Sequence, residues 1–367
     1  MAPALVSQTA GSALLKTDLY FERSPMVAIW EVTRACDLCC VHCRASAIAW
    51  RDPRELSTAQ AHDLLDQLRE LAPGVLVLTG GDPLKRPDLF EVIEAAVGKG
   101  LTVAITPSVT PLLTEQAIRR LAAAGISRIA LSLDGPDAAT HDTFRGMPGA
   151  FAATLDAIKH VRAAGVSLQI NTSVSPQTAG GLAATGELMR KVAPALWSVF
   201  FVVPVGRAGP DQQLDADTCE QLFNYLADWS EATGCAVKTT AAQAYRRVLM
   251  QRNKTRALAG EARRPRPAAV NDAKGFVFVS HTGEVYPSGF LPISAGNVRH
   301  ARLADLYRTS DLFRALRDAD RLEGKCGRCE FRTVCGGSRA RAYALTGNPF
   351  AEDPSCIHQP ARAAECA

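Results

Sequence analysis

Six short runs of β-branched and apolar residues recur between residues 27 and 203, each separated from the next by an amphipathic stretch. This alternation restricts the fold more than any other feature of the chain. The runs are VAIWEVT from Val27, VLVLT from Val75, LTVAIT from Leu101, RIALSL from Arg128, SLQINT from Ser167 and WSVFFVV from Trp197. Strand, helix and parallel strand in succession make a βαβ unit, so the pattern predicts a parallel sheet covered by helices. Its punctuation is legible too. Gly100, Gly125 and Gly165 each stand between a helical stretch and a strand, where a left-handed residue ends the helix. Ser57 and Gln60 form an S-x-x-Q capping box that starts the first helix.

Spacings near 26 to 30 residues over several repeats favour a partial (β/α)6 TIM-like barrel of the α/β class over an open sheet. A cysteine-rich loop directly after the first strand agrees, because parallel barrels build active sites from loops at the C-terminal strand ends. Helical stretches are expected from Asp215 to Thr233 and from Ala241 to Met250. They lead into a hairpin pattern, GFVFVSHTGEVYPSGF from Gly275, that opens a smaller region. The expected divisions are an N-terminal extension at 1–26, the barrel at 27–210, a helical linker at 211–270 and a C-terminal region at 271–367.

A chain of 367 residues with 47% hydrophobic content can bury the core that such a barrel needs. The net charge is only +4, and outside the stretch from Arg252 to Arg266 basic and acidic residues are interspersed, so no nucleic-acid partner is expected. That stretch reads as a solvated loop. No apolar run reaches the roughly 18 residues that cross a bilayer, and the N-terminus lacks a signal-peptide pattern. The expected location is therefore the cytoplasm, without a membrane partner. In that reducing compartment the eleven cysteines read as metal ligands or catalytic groups rather than disulfides. Cys219, Cys235 and Cys366 stand alone and read as small, incidental residues.

The segment TRACDLCCVHCRAS offers Cys36-x3-Cys40-x2-Cys43, and Cys39 permits the reversed register Cys36-x2-Cys39-x3-Cys43. Three thiolates can hold three irons of a cubane and leave the fourth open to a small molecule. Structural zinc, the competing reading, wants four closed ligands.

The first register resembles the motif of the radical S-adenosylmethionine (radical SAM) superfamily, including a ring, His42, just before the last cysteine. The resemblance sets Cys39 aside as a bystander. It implies a [4Fe-4S] cluster on Cys36, Cys40 and Cys43 with an open site that binds S-adenosylmethionine, and it puts His42 near the adenine. Gly80-Gly81-Asp82-Pro83 after the second strand looks like the family's GGE motif, with Asp in place of Glu, whose backbone contacts the methionyl amino group. Ser132 and Asp134 after the fourth strand, and Asn171 and Thr172 after the fifth, lie where the family places ribose and carboxylate contacts. Val203 to Gly206 would flank the adenine, and Arg145 would contact the cofactor carboxylate or close a loop. No residue is singled out as catalytic. The implied chemistry is reductive cleavage of S-adenosylmethionine to a 5′-deoxyadenosyl radical that abstracts a substrate hydrogen, with an electron donor such as flavodoxin or ferredoxin.

Near the C-terminus stands Cys326-x2-Cys329-x5-Cys335, followed by Cys356. This spacing resembles the SPASM extension of many radical SAM enzymes, which makes the C-terminal region a small iron-sulfur (SPASM/twitch-like) domain. Where the fuller pattern has further cysteines, this chain has Arg339 and Ser288. One auxiliary [4Fe-4S] cluster is therefore expected instead of two, with zinc as the alternative occupant. A fully ligated cluster suits electron relay, and so net oxidation of the substrate.

Within the superfamily the chain looks most like the enzymes that modify tetrapyrrole side chains in heme and heme d1 biosynthesis. A tetrapyrrole or similar carboxylated small molecule is the expected substrate, and Arg263, Arg264 and Arg266 could attract it. The alternatives are a peptide maturase acting on a ribosomal precursor, a small-molecule alcohol dehydrogenase or epimerase, and a zinc-binding interaction protein without catalysis. His281, Glu284 and Tyr286 lie in the hairpin expected at the barrel mouth, where they would either touch substrate or simply pack.

Overall fold

All six runs become strands in the computed structural model, which describes residues 20–262 and 268–360. They are β1 (Val27–Glu31), β2 (Val75–Thr79), β3 (Val103–Ile105), β4 (Arg128–Ser132), β5 (Ser167–Val174) and β6 (Leu196–Phe201). Between them run α1 (Thr58–Leu71), α2 (Leu89–Gly98), α3 (Glu115–Ala123), α4 (Ala138–Arg145), α5 (Ala150–Ala163) and α6 (Leu182–Val192). The capping box forms as read, with Ser57 and Gln60 each satisfying the other's backbone N–H. Gly100, Gly125 and Gly165 take φ values of +83°, +89° and +71°, where a side chain would be strained.

The sheet continues past both ends of this set. After α7 (Ala216–Thr233) a seventh parallel strand, β7 (Ala236–Thr240), pairs with β6 before α8 (Ala244–Leu258) begins. α8 starts later than the expected Ala241, because Ala241 has a φ of +54° and turns the chain out of β7. On the opposite edge β8 (Phe276–Val279) lies parallel to β1, followed by antiparallel β9 (Glu284–Tyr286) and β10 (Gly296–Asn297). Strand order is therefore β10-β9-β8-β1-β2-β3-β4-β5-β6-β7.

Side chains alternate across a strand, and here the alternation separates two environments. Ile129 and Leu131, Leu168 and Ile170, Trp197, Val199 and Phe201 are buried in one apolar core with the helices. Trp197 meets Trp229 of α7 at 4.7 Å, and Phe201 meets Phe223 at 5.0 Å. Leu64, Leu65 and Leu68 of α1 are fully buried, each contributing about 1.5–3 kcal/mol. The intervening residues, among them Ala130, Ser132, Gln169, Asn171 and Ser198, face away from the helices into the lumen of the barrel. They are small or polar, which leaves space inside the barrel and supplies the few placed polar groups that orient a ligand. Among the described residues no helix is long and apolar enough to cross a membrane. Arg263, Arg264, Arg266 and Cys366 lie outside the described residues.

Candidate functional site

The cysteine loop leaves the top of β1 and is held by backbone from distant parts of the barrel. Gly81 donates its N–H to the Thr33 carbonyl at 2.8 Å, and Asp82 donates to the Ala35 carbonyl at 2.6 Å. A Cβ on Gly81 would come within 2.4 Å of the Ala35 oxygen, and one on Gly80 within 2.6 Å of the Thr33 oxygen. Both glycines are therefore demanded by close packing of the β2 turn on the loop. With those N–H groups occupied, the turn's polar groups toward a ligand are its carbonyl oxygens, the correct partners for an ammonium group. Those of Gly81 and Asp82 also accept from Ser108 Oγ and Lys85 N–H at 3.0 Å. From the other side Val41 donates to the Phe144 carbonyl and Arg207 to the Cys43 carbonyl. A Cβ on Gly206, whose φ is +72°, would lie 2.3 Å from the Arg44 oxygen.

Each of the three sulfurs accepts hydrogen bonds. Leu38 N–H lies 3.4 Å from Cys36 Sγ, Arg145 Nη1 3.9 Å from Cys40 Sγ, and Ala47 N–H 3.4 Å from Cys43 Sγ. Such donors stabilise thiolate and tune a cluster bound to it. Burial pushes the Cys36 and Cys40 thiols up, so iron must displace their protons on binding. Cys39 is exposed, whereas Cys36 and Cys40 are buried.

His42 stacks on Phe144 with centroids 4.0 Å apart. Burial, then the Arg145 charge, pull its pKa down to about 3, so the ring is neutral, and its buried Nδ1 has no partner. A neutral ring with an unused nitrogen suits a nucleobase neighbour. Asp82 turns its carboxylate inward, accepting from Thr110 Oγ1 at 2.7 Å and from the N–H groups of Leu84 and Ser108. It braces the turn. Asp134 is likewise occupied: Arg145 Nε reaches Oδ2 at 2.6 Å and Ser173 N–H reaches Oδ1 at 2.6 Å. Burial works against its charge, but Arg145, the neighbouring His42 and His141 and the Ser173 N–H together hold the carboxyl below the usual range.

Ser132 and Asn171 are register partners facing the lumen. Thr172 is not with them. It is buried on the helix side, donating to the Leu133 carbonyl at 2.8 Å and accepting from the Trp197 indole at 2.9 Å. Adjacent strand residues point to opposite faces, so Asn171 and Thr172 do not reach one ligand together.

A network that the sequence did not disclose ties the loop to the hairpin. Glu31, at the end of β1, accepts from Arg44 at 2.7 Å and pairs with His281 Nδ1 at 2.8 Å. Burial opposes its charge, yet Arg44 and His281 keep the Glu31 carboxyl low. Arg44 also lies over the Phe278 ring at 4.6 Å. His281 is thus buried and engaged. Glu284 is held by Asn297 and Ser294, and Tyr286 packs beside Phe278.

The C-terminal cysteines converge on one cavity. Cys326, Cys329, Cys335 and Cys356 line it with Arg247, Lys325, Arg332 and His358, and its empty volume, open mouth included, is about 340 Å³. A tetrahedral zinc site would hold its sulfurs about 3.8 Å apart. Among the described residues the three ligand atoms that lie within 4.8 Å of one another belong to Cys329, Glu330 and His358, so no three of the four cysteine sulfurs are as close together as tetrahedral zinc would hold them. N–H groups again point at sulfur, from Asp353 to Cys326 at 3.3 Å, Phe331 to Cys329 at 3.4 Å and Gly337 to Cys335 at 3.4 Å. Burial pushes Cys329 up to about 11 and Cys335 up to about 12. In both places the donor set fits an iron-sulfur cluster.

Arg339, where a further cysteine would stand, is fully buried and donates to the carbonyls of Pro349 and Ala351 and to Cys326 Sγ at 3.7 Å. Ser288 accepts from Phe290 N–H and bonds to Asp272. Internal hydrogen bonding fills these two positions. Cys219 is buried in α7, and Cys235 Sγ donates to the Pro194 carbonyl.

The sequence profile of the radical SAM superfamily matches residues 30–185. Over 343 residues the chain is 39% identical to the AdoMet-dependent heme synthase of Nitratidesulfovibrio vulgaris, covering 92% of this chain and 93% of that protein. The AdoMet-dependent heme synthase of Methanosarcina barkeri is 37% identical over 92% of this chain and 98% of its own. Mycofactocin maturase MftC of Mycobacterium tuberculosis is 30% identical over 94% and 88%. Among solved structures, SuiB of Streptococcus suis bound to S-adenosylmethionine superposes with a TM-score of 0.69 at 16% identity, over 92% of this chain and 78% of that one.

Proposed function

The chain belongs to the radical SAM superfamily, and from that premise we propose that it oxidatively modifies a side chain of a carboxylated tetrapyrrole. One observation carries the substrate class: likeness over almost the whole of both chains to proteins named AdoMet-dependent heme synthase. When bound, the cluster and S-adenosylmethionine together supply a 5′-deoxyadenosyl radical that takes a hydrogen atom from the substrate.

The chain's own residues have the remaining tasks. Cys36, Cys40 and Cys43 hold the cluster and leave one iron open, with Arg145 and the loop N–H groups stabilising the thiolates. The turn Gly80–Asp82 receives the methionyl ammonium on its carbonyls, neutral His42 lies beside the adenine, and Ser132 and Asn171 meet the cofactor from the lumen wall. Asp134 is a positioning residue that orients Arg145. Cys326, Cys329, Cys335 and Cys356 hold one auxiliary [4Fe-4S] cluster, whose closed ligation suits electron relay. The domain divisions at 210 and 271 are kept as functional regions, although β7 and β8 continue one sheet across them.

The test is anaerobic turnover with S-adenosylmethionine, a reductant and iron coproporphyrin III, following 5′-deoxyadenosine and the porphyrin mass. Coupled formation of 5′-deoxyadenosine and a mass-shifted porphyrin is the expected result. Cleavage without any change to the porphyrin would refute the substrate class, and would favour the peptide reading that the MftC likeness keeps open.

A further inference from the structure

One row of polar residues crosses the lumen wall without a break. Backbone register places Ser132 beside Asn171, Asn171 beside Ser198, and Ser198 beside Lys238. All four share the face turned away from the helices, because Trp197 and Val199, which flank Ser198, are packed in the apolar core. Ser198 is 1% exposed, and its Oγ has no hydrogen-bond partner.

The row ends on a cation that nothing neutralises. Lys238 makes no ion pair or hydrogen bond among the described residues, and the charged groups acting on it are Arg246 and Arg128, both positive. Burial and those two charges pull its amine down to about 8, although the side chain remains accessible to solvent. Both facts hold for a lysine that projects into an open lumen walled by protein. Arg246 is occupied by the carbonyls of Val270 and Val334. Arg128 is not: on the lumen face of β4, four residues before Ser132, it has a buried Nε without a partner.

Two other charged side chains near the site are paired, Glu31 with Arg44 and His281, and Asp134 with Arg145. Lys238 is open to solvent and Arg128 half-buried, so both cations stand ready in the lumen without a partner of their own. Beside them is the buried and unsatisfied Ser198 hydroxyl, and this donor set suits an anion arriving from outside. Arg128 supplies a planar fork suited to a carboxylate, and Lys238 a point charge.

We propose that Lys238 and Arg128, with Ser198 between the row's polar groups, form a substrate-carboxylate subsite on the lumen wall. Ser198 joins it to Asn171 and, beyond that, to Ser132, while Arg128 lies about 13 Å down the strand from Ser132, so a carboxylate held there would fix how deep the substrate sits below the cofactor. The choice of a tetrapyrrole carboxylate as ligand rests on the function proposed above.

The experiment uses the cluster-loaded enzyme and two probes, coproporphyrin III with its four carboxylates and the corresponding tetra-amide, followed by porphyrin absorbance. The wild type should prefer the acid. Lys238→Ala should weaken the acid on the order of tenfold to a hundredfold and narrow the gap to the amide. Lys238→Arg should keep the preference, and Arg128→Gln should lose part of it. Because a lumen variant could fold poorly, reductive methylation of Lys238 in the wild type gives a second reading: the acid should protect the amine and the amide should not. Unchanged affinity in both charge-removing variants, or methylation indifferent to bound acid, would overturn the subsite. A wild type that binds neither porphyrin would instead overturn the tetrapyrrole reading, and this ligand assignment with it.

Discussion

Cys36, Cys40 and Cys43 come from one short loop that is gripped from outside, whereas Cys326, Cys329, Cys335 and Cys356 come from a segment that folds back on itself. The loop's backbone bonds reach Gly81, Asp82 and Arg207 in the loops after other strands and Phe144 in α4, all distant from it in sequence. The donors to the C-terminal sulfurs are Phe331, Gly337, Arg339 and Asp353, all inside the same segment. A three-ligand site that keeps one metal position open has to be held rigid by its surroundings. A four-ligand site closes itself. Perturbations of the two should therefore be separable.

The sharpest separation comes from ligand removal. Cys36→Ala, Cys40→Ala or Cys43→Ala should abolish 5′-deoxyadenosine formation while about half the iron remains, and Cys329→Ala should leave that cleavage measurable. Loss of cleavage in Cys329→Ala alone, assayed chromatographically, would show that the two sites do not act separately.

Next in size is Asp134→Asn. It strands the Arg145 charge inside the protein and should cost about 3–5 kcal/mol of stability, together with disturbance at Cys40. The Asp134 carboxyl is lowered on folding, so its contribution is present above the ordinary aspartate value near 4 and fades as pH falls through the lower folded value. In urea titrations the gap between wild type and variant should be flat from about pH 8 to 5 and narrow only below about 4. A gap that widens on acidification would reverse the assigned sign.

Gly81→Ala drives a Cβ into the Ala35 and Arg34 carbonyls and should cost about 1–3 kcal/mol. It should weaken S-adenosylmethionine binding without reducing iron at the C-terminal site. The smallest effect concerns iron-free protein. Cys335, pushed up to about 12, stabilises the fold fully only below the ordinary thiol value near 8.5. Stability should fall by about 1 kcal/mol between pH 8.5 and 9.5 relative to Cys335→Ala, and a flat difference would contradict the buried thiol.

The contrast also explains what could be read from sequence. The six strand runs and the capping box are local patterns, and both are recovered; the spacing of the cysteines is equally local, and the fold gathers the C-terminal four around one cavity. β7, with the sequence AVKTT, lacks apolar alternation and is largely accessible, so its only signal is the partner strand. β8 was legible as a strand, but its pairing with β1 joins residues about 250 apart. The same distance hides the Glu31–His281 contact. At the site, side-chain type was readable and facing was not. Thr172 carries a suitable hydroxyl on the wrong side of β5, and Asp134 and Asp82 spend their carboxylates on neighbours.

The most direct test of a two-cluster enzyme is the metal and sulfide content of the intact chain purified without oxygen. About eight irons and eight acid-labile sulfides per chain, falling to about four of each when Cys36, Cys40 and Cys43 are all replaced by Ala, is the predicted result. Four irons with one zinc in the unaltered chain would contradict it and make the C-terminal site a structural zinc centre.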